Sequence, residues 1–170
     1  MKKIKVKQLT QEGFCRYGTF QNLLDDESLA LNSVRNNPDS GFFPDLAAMD
    51  FGHSILPTVS VCRVPKKEEN IVSFLEYHQF TSEGLIPLDG DVVICIGVPE
   101  NKFSTDNLEA FYIPKGTFVR LNPLIVHGPQ FSIEAEVAHV ACLLAGRTFK
   151  NDITYAILNY EDEKAEVVFK

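Results

Sequence analysis

Glu76, His78 and Glu83 are the residues whose types and spacing point most directly to chemistry, in the pattern Glu-x-His-x4-Glu-x6-Gly that closes at Gly90. Carboxylate oxygen and neutral imidazole nitrogen together suit a divalent first-row metal ion, and the donor set alone leaves zinc, manganese, iron and nickel open. The run Ile71–His78 alternates, so Val72, Phe74, Glu76 and His78 share one face of a strand. The first two are apolar, which predicts an inward face carrying a carboxylate beside an imidazole. A solvated polar side, with Leu75 and Tyr77 turned inward, has the same alternation; the further spacing to Glu83 and Gly90 favours a shared pocket. Glu83 sits in Thr81-Ser82-Glu83-Gly84, equally a polar turn, and Pro87, Asp89 and Gly90 mark a tight turn beyond it.

Other candidates are more isolated. His127 follows Leu124-Ile125-Val126 at a strand end and suits either a fourth metal ligand or a structural hydrogen bond. Arg63 alternates with Val59 and Val61; its guanidinium fork suits a substrate carboxylate, and an ordinary solvent-facing arginine has the same pattern. His139 alternates with Val137, Ala141 and Leu143, which predicts a buried, hydrogen-bonded histidine. His53 has no motif around it. No local motif suggests a Ser–His–Asp or Cys–His arrangement, and the glycines form no phosphate or dinucleotide fingerprint.

The elements that must position these residues are short and β-rich. After Pro57, runs at 58–64, 71–78, 91–98, 110–113, 117–121, 135–144, 154–160 and 165–169 are rich in β-branched and aromatic residues. Turn residues separate them, as in Pro99-Glu100-Asn101 and Pro114-Lys115-Gly116. Many short strands with little helical period indicate a mainly β sandwich or barrel over residues 58–170. Residues 1–57 read as an N-terminal arm: a strand at 3–9, a short helix from Thr10 ending at Gly18, then loop chemistry from Asn22 to Gly52. At 170 residues the whole is expected to be one domain.

Composition narrows the partners. A net charge of −7 argues against nucleic acid, and Lys2, Lys3, Lys5 and Lys7 read as a solvated strand edge kept from pairing. Four dispersed cysteines without a C-x-x-C pair predict free thiols. No apolar segment of signal-peptide or membrane-spanning type is present, so the cytoplasm is the expected compartment.

Glu76-x-His78-x4-Glu83-x6-Gly90 resembles the first motif of the cupin barrels, with Glu76 in place of the first histidine. Pro114-Lys115-Gly116-Thr117-Phe118-Val119 resembles the second, with Val119 at the expected histidine and His127 available to supply the missing ligand. A broader resemblance is to the ureidoglycolate lyase family of small cupins. It runs through Leu9-Thr10-Gln11-Glu12-Gly13-Phe14 with Tyr17-Gly18, Arg63, Glu76-x-His78, Glu83-Gly84-Leu85-Ile86-Pro87-Leu88, Leu108-Glu109-Ala110-Phe111 and His127-Gly128-Pro129. The family usually has Gln at Glu83 and Trp-His-His at Val126-His127-Gly128.

The resemblance implies a cupin-type double-stranded β-barrel and a homodimer. It also implies a divalent metal ion held by Glu76, His78, Glu83 and His127, and a small polar substrate with Arg63 on its carboxylate and Glu83 moving a proton. The activity implied is ureidoglycolate cleavage. Glu83 in place of Gln keeps a sugar or uronate isomerase open beside it, and a non-catalytic sugar- or acid-binding cupin is the third reading.

Overall fold

The fold is described from a computed structural model covering residues 1–34, 41–52 and 54–169. The sequence readings for residues 36–40 and for His53 lie outside the described residues. In chain order the elements are β1 (Lys2–Gln8), α1 (Gln11–Phe14), β2 (Gly18–Asn22), α2 (Asp26–Asn32), β3 (Pro57–Pro65), β4 (Ile71–Val72), β5 (Phe74–Tyr77) and β6 (Glu83–Pro87). There follow β7 (Val92–Gly97), β8 (Glu109–Ile113), β9 (Thr117–Leu121), β10 (Val126–Ser132), β11 (Val137–Ala145), α3 (Thr148–Asn151), β12 (Thr154–Ile157) and β13 (Ala165–Val168).

The strands form two sheets, ordered β12-β5-β10-β7-β8-β1-β13-β4 and β2-β9-β6-β11-β3. In the larger sheet β4 and β5 stand near opposite ends yet are separated in the chain by Ser73 alone, so the sheet curls back on itself. Strand β7, Val-Val-Ile-Cys-Ile-Gly, shows why a continuous apolar run is needed. Val92, Ile94 and Ile96 face the smaller sheet and pack with Leu85, Val119, Leu121 and Val140. Val93 and Cys95 face the other way, into the curl, against Ile4, Leu75, Ala165 and Val167. Both faces of this strand are therefore dry, and a polar residue on either side would lose its water without compensation.

The N-terminal segment closes the core between the sheets. Thr10 Oγ1 accepts from Gly13 N at 3.2 Å and caps α1, which buries Phe14 completely. The Phe14 ring meets Phe111 edge to face at 5.4 Å, and Tyr17 meets the same ring at 5.8 Å. Strand β2 then pairs with β9 so closely that a Cβ on Gly18 would lie 1.7 Å from the Arg120 carbonyl oxygen.

The barrel expected from the short β-runs is present, with four departures from the sequence reading. The lysine-rich β1 is not kept from pairing: residues Lys2–Lys5 run parallel to β13, and Val6–Gln8 run parallel to β8. Its lysines stay in solvent while Ile4 faces the core. The run 71–78 is not one strand but two, because Ser73 breaks the alternation; Val72 joins Leu75 in the curl, and only Phe74 and Glu76 face the cavity between the sheets. Helix α2 lies in the stretch read as loop, capped by Asp25 accepting from Glu27 N and Ser28 N. Leu29 is its only buried residue, too little for a periodic signal. Strands β2, β6 and β10 and helix α3 also lie outside the runs singled out from the sequence.

Candidate metal centre

Glu76, His78, Glu83 and His127 converge between the two sheets. Strand β5 runs antiparallel to β10 with Glu76 opposite His127, which sets those two side by side. His78 follows the end of β5, and its carbonyl accepts from Leu124 N at 2.6 Å, tying it to the start of β10. Glu83 opens β6 on the facing sheet and approaches both histidines. His127 Nε2 lies 2.8 Å from Glu83 Oε2 and 3.4 Å from Glu76 Oε1, and His78 Nε2 lies 3.6 Å from Glu83 Oε2. The two imidazole centroids are 5.5 Å apart.

Both rings are held from behind by backbone carbonyls. His78 Nδ1 is 2.7 Å from Asp152 O, and His127 Nδ1 is 3.0 Å from Ile125 O. A proton on each Nδ1 therefore leaves each Nε2 lone pair directed at the shared locus, the arrangement by which metal-binding histidines are oriented. His78 Nε2, His127 Nε2 and Glu83 Oε2 are buried without a well-formed hydrogen bond. One donor atom each from Glu76, His78 and His127 lie within 4.8 Å of one another. Two imidazoles and carboxylate oxygen form a donor set for a divalent transition metal, and the residues fit such an ion.

The electrostatics hold a proton on His127 between the carboxylates. Burial would lower the pKa of His127, but the charge of Glu83 and the close approach of the Glu76 and Glu83 carboxylates to Nε2 outweigh it and raise it to about 10. Burial would raise that of Glu83, but the charge and hydrogen bond of His127, with those of His78, bring it down to about 2. Without an ion, a proton on His127 neutralises part of the carboxylate charge.

A cavity of about 280 Å³ opens beside the cluster, lined by Phe74, Glu76, His127 and Gln130 from the larger sheet and by Glu83, Cys62 and Cys142 from the smaller. Arg63 lines the same cavity but is exposed, on the strand position between inward Cys62 and Val64. It makes no hydrogen bond or ion pair among the described residues. Val119, at the second-motif histidine position, is fully buried in the core and gives the site nothing. His139 is not buried as expected: its side chain is 42% exposed on the outer face of β11 and pairs with Asp89 at 2.6 Å.

Asp152, Phe149 and the two cavity cysteines escaped the sequence reading. Besides orienting His78, Asp152 accepts from Gln79 N, Phe80 N and Thr81 N at 2.7, 3.0 and 3.0 Å and fixes the turn between His78 and Glu83. Phe149 packs edge-on against the His78 ring at 6.3 Å. The local signal for both was helix α3, whose four residues are too few to show a period.

Two facing sheets around a buried Glu/His cluster make this a cupin barrel. The chain belongs to the ureidoglycolate lyase family, whose sequence profile matches residues 1–161. No curated protein sequence matches it. Among solved structures it is similar to Bacillus subtilis oxalate decarboxylase, described for its Mn(II) centres, at 14% identity over 60% of this chain and 24% of that chain, with a TM-score of 0.42. It is similar to hydroxypropylphosphonic acid epoxidase from S. wedmorenis at 14% identity over 52% and 43% of the two chains, with a TM-score of 0.39. A dTDP sugar isomerase from Desulfovibrio desulfuricans G20 gives 13% identity over 69% and 64%, with a TM-score of 0.40. The chain thus spans about a quarter of the decarboxylase and less than half of the epoxidase.

Proposed function

We propose that the protein is a lyase of the ureidoglycolate type, releasing urea from a 2-hydroxy acid, with a divalent metal ion held by Glu76, His78, Glu83 and His127. The observation that carries this reading is the pair of buried Nε2 atoms on carbonyl-anchored imidazoles, that of His127 beside Glu76 and Glu83 and that of His78 beside Glu83. When bound, such an ion polarises the substrate's carboxylate and hydroxyl oxygens and lowers the hydroxyl pKa.

Glu83 lines the cavity 2.8 Å from His127, and this position makes it the carboxylate we assign to take the hydroxyl proton. As that proton leaves, the oxygen forms the aldehyde C=O of glyoxylate and the C–N bond breaks. Its electron pair goes to the urea nitrogen, and Glu83 returns the proton there. Arg63, unpaired beside the cavity, binds the substrate carboxylate through its guanidinium fork. Phe149 and Phe74 give the cavity an apolar part of its wall.

An aldose–ketose or uronate isomerase is the second reading. It is favoured by Glu83, a carboxylate where the lyase family usually has Gln, 2.8 Å from His127 and able to move a proton between adjacent carbons. Metal-loaded protein offered ureidoglycolate is expected to release glyoxylate and urea. Turnover of a sugar or uronate panel instead would establish the isomerase, and thermal stabilisation by these compounds without turnover would establish a binding protein. We further expect a cytoplasmic homodimer; the exposed Val59 and Val61 on edge strand β3 offer it an apolar surface. No described helix is long and apolar enough to cross a membrane.

A further inference from the structure

Cys62 and Cys142 line the cavity that Glu76, Glu83 and His127 also line, and the chemistry above uses neither. Cys62 is on β3 and Cys142 on neighbouring β11, both on the inner face they share with Val64 and Val140. Their sulfurs are 3.5 Å apart. Cys62 is exposed, whereas Cys142 keeps only 3% of its surface. The pair thus has an outer thiol that solutes reach and an inner thiol behind it. We propose that Cys62 and Cys142 form a reversible thiol–disulfide site in the cavity wall, Cys62 reacting first with a small-molecule disulfide and Cys142 resolving the adduct.

The exchange balances without further reagents. The Cys62 thiolate attacks one sulfur of the small disulfide, the S–S bond breaks, and one small thiol leaves with the Cys62 proton. Cys142 then attacks the Cys62 sulfur and displaces the second small thiol, which takes the Cys142 proton. Two protein S–H groups are oxidised to one S–S bond while the small disulfide is reduced to two thiols.

The strand register shapes the product. Cys62 stands opposite Val140 and Cys142 opposite Ser60, so the two are diagonal neighbours. Diagonal positions lie about 7–8 Å apart between Cα atoms, against about 4.4–6.8 Å in disulfides. Closing the bond requires a local shift of β3 along β11 that brings Cys62 toward Cys142, and β3 is an edge strand with no second neighbour to oppose it. A bond made this way is easily reduced, as strained disulfides are. Until it closes, any adduct on Cys62 occupies the cavity beside His127 and Glu83. The other cysteines lack this arrangement: Cys15 is exposed with its sulfur against the Glu12 carbonyl, and Cys95 is fully buried with its thiol pushed up to about 12 by burial.

The test is to treat the full chain with oxidised glutathione and follow intact mass and disulfide-linked peptides. In the wild type, Cys15 is expected to retain glutathione. Cys62 is expected to pass through a glutathione adduct to a Cys62–Cys142 bond, with the net loss of two hydrogens, restored by dithiothreitol. Cys142→Ser should hold glutathione on Cys62, and Cys62→Ser should leave Cys142 unmodified. The proposal is overturned if wild-type Cys62 keeps its glutathione, or if Cys62 stays unreacted while Cys15 is fully modified. Cys142 reacting equally well in the Cys62→Ser chain also overturns it. The wild-type outcomes decide even if a variant fails to fold.

Discussion

Metal binding by this site should be paid for in protons, and over an unusual pH range. An unperturbed histidine has lost its proton by pH 7, so metal affinity at such a site levels off above about 6.5. His127 instead keeps its proton to about 10, because the Glu83 and Glu76 carboxylates outweigh the effect of burial. At pH 7 an ion must therefore displace a proton held about three pH units too tightly, a cost of roughly 4 kcal/mol at 1.36 kcal/mol per unit. Glu83, brought down to about 2, releases no proton in this range. Affinity is expected to climb about tenfold per pH unit, hence roughly a hundredfold from pH 6.5 to 8.5, with about one proton released per ion. Competition against a chelator of known protonation behaviour measures the affinity, and calorimetry in buffers of different ionisation enthalpy counts the proton. Glu83→Gln removes the main charge holding that proton and should move the climb down toward neutrality. An affinity that is flat above pH 7 in the wild type, or a climb that Glu83→Gln leaves in place, would refute the reasoning.

The same pair makes the stability of the metal-free protein pH-dependent in both directions. The raised His127 pKa gives stability that is complete below about 6.5 and lost as pH rises toward about 10. The lowered Glu83 pKa gives stability that is complete above about 4.3 and lost as pH falls toward about 2; Tm against pH should show both flanks. Asp152→Ala strips three backbone N–H groups of their acceptor and should cost about 1–3 kcal/mol in denaturant unfolding, while Asp152→Asn keeps part of it. Gly18→Ala places a methyl 1.7 Å from the Arg120 carbonyl oxygen and should destabilise by about 1–3 kcal/mol through the β2–β9 pair. His139→Ala should leave metal content at the wild-type level, since its imidazole is on the outer face with Asp89.

The site was legible where its information is local. Glu76, His78 and Glu83 sit within eight residues, so their spacing is visible in one short stretch, although the closing of the two sheets and Asp152 are what set Glu83 against the histidines. His127 was harder, being on a later strand, but barrel closure puts it opposite Glu76. What was illegible depends on contacts between distant segments. Asp152 carries no motif and reaches His78 only because α3 returns the chain past the site. Cys62 and Cys142 meet across a strand pair 80 residues apart in sequence. The lysines of β1 resembled an unpaired edge because its partners, β8 and β13, are more than a hundred residues away. The same limit applies to faces: His139 alternates with apolar residues, yet Ala141 and Leu143 belong to the outer side of the smaller sheet, so alternation gave the period without the direction.

The central claim is that four side chains hold one divalent ion, and a metal-edge anomalous difference map from crystals of the metal-loaded protein tests it most directly. The account predicts a single strong peak between the sheets, bonded to Nε2 of His78 and His127 and to the Glu76 and Glu83 carboxylates, and absent from His127→Ala crystals. A map with no peak there, or with the ion bound elsewhere while His127 remains paired with Glu83, would contradict it.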